Sequence, residues 1–116
     1  MVSKEKSKIH LILPSDVFHL IEQAVSDIGF GSVTLIVQDR KIIQIEKLDK
    51  IRVGDKQAAP VSGNSSELLR NKILEAMEEM SYGQVMIIIK NRRIIQIERT
   101  EKQRFNTLEG LYGDGI

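Results

Sequence analysis

The apolar positions of this chain change period partway along, and then do so again in the same way. Val17, Leu20, Ile21, Ala24, Val25 and Ile28 recur at the three- and four-residue steps that line one side of an α-helix. Leu13-Pro14-Ser15-Asp16 supplies the start signals for that helix. The pattern then becomes that of strands. Val33 to Gln38 and Lys41 to Glu46 are rich in β-branched residues and flank Asp39-Arg40. Further on, Leu69, Ile73, Ala76, Met77 and Met80 predict a second helix, with Asn64 and Glu67 spaced as a capping box. Gln84 to Lys90 and Arg93 to Glu98 predict a second hairpin around Asn91-Arg92. Gly31 and Gly83 mark the way out of each helical region. Ile9 to Leu13 reads as an extra strand without a counterpart.

The two units are copies. Ile42-Ile43-Gln44-Ile45-Glu46 recurs as Ile94-Ile95-Gln96-Ile97-Glu98, an offset of 52. The same offset aligns Ile21 with Ile73, Ala24 with Ala76, Gly31 with Gly83, Lys50 with Lys102 and Arg52 with Arg104. The chain therefore divides into a first α-β-β repeat (1–53), a linker (54–65), a second repeat (66–105) and a glycine-containing tail (106–116) expected to be flexible. One helix on one hairpin is near the lower limit for a core and leaves its strand edges bare. Two such units remedy both faults by joining. The expected architecture is α+β: one four-stranded antiparallel sheet, two helices on one face, and an internal pseudo-twofold axis.

Asp39 and Asn91 suit the first position of a tight turn. Arg40 and Arg92 do not suit the second, because the common two-residue hairpin wants positive φ there, usually from Gly. A wider loop is the expectation at both turns.

Composition narrows the chemistry. Cysteine is absent, which excludes disulfides, thiolate catalysis and cysteine-rich zinc sites. Net charge is only +1, without the broad basic field of a dedicated nucleic-acid binder. The distribution is uneven, since Gly83 to Phe105 holds six bases and two acids. No apolar run approaches the length of a membrane span, and Ile9 to Leu13 is too short for a signal-peptide core. A soluble, cytoplasmic protein is expected.

A function shared by both copies would lie in residues that both keep. Gln44, Glu46, Lys50 and Arg52 match Gln96, Glu98, Lys102 and Arg104. Equal parity would project each set from one strand face, with Ile43 and Ile45, or Ile95 and Ile97, turned to the core. The ladder fits either the solvated side of a one-sided sheet or a docking surface for a partner. His10 and His19 have no counterparts and lack a third ligand for zinc. Ser15, Ser65 and Ser66 stand at helix starts, where capping accounts for them. Tyr82 is expected to pack with Phe30 at the helix–strand junction. No triad, P-loop or dinucleotide fingerprint is present. The expectation is a non-enzymatic interaction or regulatory module without cofactor or metal. It would bind a protein partner through a sheet face or edge, and a homo-oligomer is compatible with it. The alternative is a nucleic-acid-binding module using Arg92 and Arg93 together with Lys102 and Arg104.

The Phe/Tyr-Gly-x-Val start, the alternating strand and the Ile-Ile-Gln-Ile-Glu word followed by Lys and Arg resemble the YezD-like family of small uncharacterised bacterial proteins, a domain of unknown function. The resemblance covers about 15–53 and 66–105. It implies the α-β-β unit but no activity, cofactor or site. Members of that family commonly carry one copy and an Asp-Gly type of turn. This chain carries two copies and places arginine at both turns. The resemblance also implies that single-copy relatives dimerise and that this chain is the fused equivalent.

Overall fold

The computed structural model describes residues 12–54 and 65–103. Helix α1 spans Ser15–Asp27 and is followed by strands β1 (Gly31–Gln38) and β2 (Lys41–Asp49). Helix α2 (Ser66–Met77) is followed by β3 (Tyr82–Lys90) and β4 (Arg93–Glu101). The strands form one antiparallel sheet in the order β2-β1-β3-β4. The first strand of each copy is thus central, and the second strand of each copy is an edge.

The duplication is exact enough to locate its axis. Across the β1–β3 seam, Gly31 faces Ile89 and Gln38 faces Tyr82. In that register Thr34 faces Met86, its own counterpart at the offset of 52. The pseudo-twofold axis therefore passes between Thr34 and Met86, perpendicular to the sheet.

Both copies contribute to one core. Val33, Leu35 and Val37 alternate inward on β1, and Val85, Ile87 and Ile89 do so on β3. Against them pack Phe18, Ile21, Ala24 and Val25 of α1 with Leu69, Ile73 and Met77 of α2. Leu13, Ile28 and Met80 close the ends of this layer. Each fully buried aliphatic side chain contributes roughly 1.5–3 kcal/mol. Phe18, not named by the helical spacing, is buried, whereas Leu20 of the predicted stripe is 56% exposed. Ile21, Ala24, Val25 and Ile28 of the stripe are buried as expected, and Phe18 joins them with its ring carrying the Arg70 guanidinium at 4.6 Å.

The turns differ from expectation. Gln38 pairs directly with Lys41, and Lys90 with Arg93, so each loop has two residues. Asp39 and Arg40 take φ of 53° and 65°, and Asn91 and Arg92 take 52° and 61°. These are the left-handed turns that match sheet twist. The wider loop is excluded because both arginine amides are committed across the pseudo-axis. Arg40 N donates to Ser81 O at 3.2 Å, and Arg92 N donates to Gly29 O at 2.9 Å. Ser81 and Gly29 are themselves equivalent positions. Tyr82 adds a phenol bond to Asp39 Oδ1 at 2.7 Å. Tyr82 and Phe30 therefore do not pack together; the register puts them at opposite ends of the sheet.

Gly31 and Gly83 stand at the starts of β1 and β3, first and second residue respectively, and close approach is what requires them. A Cβ would lie 1.8 Å from Leu48 O at Gly31 and 2.2 Å from Thr100 O at Gly83. At the start of α2 the capping oxygen comes from Ser65, which accepts from Leu68 N at 3.3 Å. Asn64 of the expected capping box lies outside the described residues. Pro14 precedes α1 and makes no side-chain cap bond. Of the expected strand at 9–13, Ile12 and Leu13 are described and are not in a strand; the rest, like the tail 106–116, lies outside the described residues.

Candidate functional site

The helices cover one face of the sheet, so the residues of opposite parity define the other. Each edge strand carries a bulge that sets this parity. Ile36 pairs with Gln44 while Val37 pairs with Ile42, which leaves Ile43 as the extra residue. Ile88 pairs with Gln96 while Ile89 pairs with Ile94, which leaves Ile95. An extra residue reverses the side on which its neighbours fall. Ile42, Ile45, Ile94 and Ile97 consequently pack on the core. Ile43 and Ile95, expected inside, are 54% and 56% exposed. The bulges lie ahead of Gln44 and Gln96, so the Gln–Glu pairs keep their common face.

The register writes out that face row by row. Glu46, Thr34, Met86 and Glu98 lie side by side across the four strands. On one side of this row stand Gln44, Ile36, Gln84 and Thr100; on the other stand Leu48, Ser32, Ile88 and Gln96. Strand spacing puts Glu46 and Glu98 roughly 14 Å apart, astride the axis. Gln44 Nε2 donates to Glu46 Oε2 at 2.6 Å, and Gln96 Nε2 donates to Glu98 Oε2 at 2.7 Å. The same local bond is thus made twice, and each carboxylate is held upright on its own strand. Thr34 is only 8% exposed despite facing away from the helices, because Glu46 and Met86 flank it. The rest is amphipathic: Leu48 is 53% exposed, and Ile36, Met86 and Ile88 are half-buried by their neighbours alone. A shallow depression of about 270 Å³ at one corner is lined by Ile36, Ile43, Tyr82, Gln84 and Lys102.

The bases of the predicted ladder do not continue its rows as one surface. Lys50 and Arg52 lie beyond the end of β2, at 5.8 and 4.9 Å from the Phe30 ring centre. Lys50 N donates to Phe30 O at 2.7 Å, and Lys102 N makes the equivalent bond to Tyr82 O at 2.8 Å. Edge strands related by the axis run in opposite directions, so Lys50 and Lys102 are at opposite ends, roughly 27 Å apart along the strands. Arg104 lies outside the described residues. Arg92 and Arg93 fall at the Lys50 end, far from Lys102. The basic set chosen for nucleic acid is therefore divided. A different one lies at one end of the sheet instead: Lys50 and Arg52 stand at the Phe30 ring, Arg92 is bonded to Gly29, and Lys90 and Arg93 pair at the same end.

Two further bases do matched structural work that the sequence reading missed. Neither helix has a base in its last turn. Lys47 reaches back from β2 to Asp27 at 3.3 Å, at the end of α1. Arg99, its equivalent, donates to Ala76 O at 3.1 Å and Glu78 O at 2.6 Å, at the end of α2. Positive charge there complements the helix dipole. The available signal was two bases at the repeat offset, on the strand side that turns inward.

His19 stands 3.4 Å from Glu22, and among the described residues no group of three His, Cys, Asp or Glu could hold a metal ion. Among the described residues no helix is long and apolar enough to cross a membrane. A family model described as an uncharacterised small protein, DUF2292, matches residues 17–53 and again residues 69–105. No curated protein and no solved structure matches the chain.

Proposed function

The chain belongs to the DUF2292 family of uncharacterised small proteins as two fused copies of its domain, and from that premise we propose a non-enzymatic interaction module that docks a protein partner on the helix-free face of the sheet. The observation that carries the reading is the composition of that face. Ile36, Ile43, Leu48, Met86, Ile88 and Ile95 share it, and no described element covers it. Four strands of about nine residues give a footprint on the order of 500 Å². That is below the ~800 Å² per partner of a standard stable interface, which suits transient association.

Charge selects the partner. In an aligned stack of two copies, face to face about an axis along the strands, Glu46 would meet Glu98 of the other chain. Like charges opposed in this way cost affinity. The face instead fits a partner with an apolar centre and basic side chains on either side of it. A soluble protein of the bacterial cytoplasm is the setting we propose, supported by the lack of cysteine.

Photo-cross-linking from position 86 tests the reading, with position 71 on α2 as control. Adducts to one protein from 86 alone are expected. With that partner purified, Glu46→Lys with Glu98→Lys should weaken binding by about tenfold or more, and charge reversal on the partner should restore it. Equal adducts from both positions, or unchanged affinity in the double variant, would refute the proposal.

The placement of Lys50, Arg52, Lys90, Arg92 and Arg93 at the Phe30 end of the sheet favours one second reading, nucleic-acid binding there. It requires a steep salt dependence that declines when Arg92 and Arg93 become Ala. Absence of RNA or DNA binding at low salt removes it.

A further inference from the structure

The two copies differ at several places in the core, and at one of them the difference adjoins a groove. Ser65, Leu68, Leu69, Lys72 and Ile94 to Ile97 line an opening of about 410 Å³ between α2 and the edge strand β4. Its walls are apolar, and Leu68 is 57% exposed and Ile95 56%. In the first copy the position equivalent to Ser65 is Leu13, which is 1% exposed within the core, with Ile12 packed beside it. The first copy therefore fills with its own leucine a position that the second leaves to a small hydroxyl.

We infer that the groove between α2 and β4 is a docking site for an extended peptide segment bearing apolar side chains at alternate positions and a flanking acidic residue. This site adjoins the helix-free face proposed above and meets it at Ile95 and Gln96, while its other lining residues lie on α2 and the helix side of β4. Three features specify the occupant. The missing Leu13 defines what the space accepts, a branched aliphatic group. β4 is an edge strand, and an added strand along Gln96 to Thr100 would send every second side chain toward the helix side. Lys72 is the one charged residue among those lining the groove, and its ammonium complements an acid on the peptide. Its Glu75 contact is long, at 3.7 Å, with both side chains more than half exposed, so little opposes an exchange of partner.

Methyl NMR on the full chain tests this. The probe is the peptide Ile-His-Leu-Ile-Leu, the sequence of residues 9–13, and a version ending in an added Asp. Shifts are expected at Leu68, Ile94, Ile95 and Ile97 but not at Ile42, Ile43 or Ile45. Ser65→Leu restores the plug of the first copy and should weaken binding by about tenfold or more, as should Leu68→Gln on the exposed rim. The Asp peptide should bind several-fold tighter, and Lys72→Gln should erase that advantage. Glu46→Lys with Glu98→Lys should leave peptide binding unchanged, so failure of the face and failure of the groove read out separately. The inference is overturned if no shift occurs at peptide concentrations on the order of 1 mM. It is equally overturned if Leu68→Gln binds like wild type. Groove shifts that vary with chain concentration in the absence of peptide would assign the groove to a second copy. Nuclear Overhauser contacts from residues 55–64 or 104–116 would assign it to the chain itself.

Discussion

Replacing Arg40 by glycine should stabilise this protein. Arg40 holds φ at 65° in a two-residue turn. A side chain with a Cβ in the left-handed region costs roughly 1–2 kcal/mol. Glycine removes that cost but gives the unfolded chain more freedom, a loss of roughly 0.5–1 kcal/mol. The difference favours Arg40→Gly by about 0.5–1 kcal/mol, a rise of about 2–8 °C in Tm for a domain of this size. The bond from the residue 40 amide to Ser81 O is a backbone bond and survives the change. Arg40→Ala is the control, because alanine removes the charge and keeps the strained φ. Thermal unfolding by circular dichroism and urea titration should rank Gly above wild type, with Ala no higher than wild type. If Ala stabilises as much as Gly, the gain comes from removing charge, and the backbone reasoning fails. If Gly is no better than wild type, the turn is not strained as its φ implies.

Gly83→Ala should lower stability by more than about 3 kcal/mol in urea titration, because strand pairing must part to clear the Thr100 carbonyl. Arg99→Ala should cost about 1–2 kcal/mol by the same assay, since the guanidinium serves two carbonyls at the end of α2. Lys47→Ala should cost under about 0.5 kcal/mol, because its pair with Asp27 is exposed on both sides. Ile95→Thr should be neutral within about 0.5 kcal/mol, whereas Ile94→Thr should cost more than about 1 kcal/mol. Equal costs at 94 and 95 would contradict the bulge.

The bulge shows best where sequence reading stopped. Parity counted from Ile43 assumes an unbroken strand, and one extra residue exchanges Ile43 for Ile42 on the core side while sparing Gln44 and Glu46. The Gln–Glu pairs keep the outward side that equal parity predicts, because the extra residue lies ahead of them. The arginine turns were misread because a local preference for glycine was weighed without the amide bonds that Ser81 and Gly29 supply from the other copy. Phe30 and Tyr82 were joined by analogy of position, yet the axis that relates them also separates them.

The sequence by itself determined the repeat, its offset, the order of helix and hairpin, and the union of two copies in one sheet, because these follow from periodicity and from the cost of bare edges. Only the tertiary structure decided which strands are central, that Thr34 meets Met86 at the axis, and that the predicted bases divide between opposite ends. It also decided that Leu13 fills a position where Ser65 leaves a groove. These depend on register between segments far apart in the chain, and register is set by the fit of whole faces, which no local pattern records.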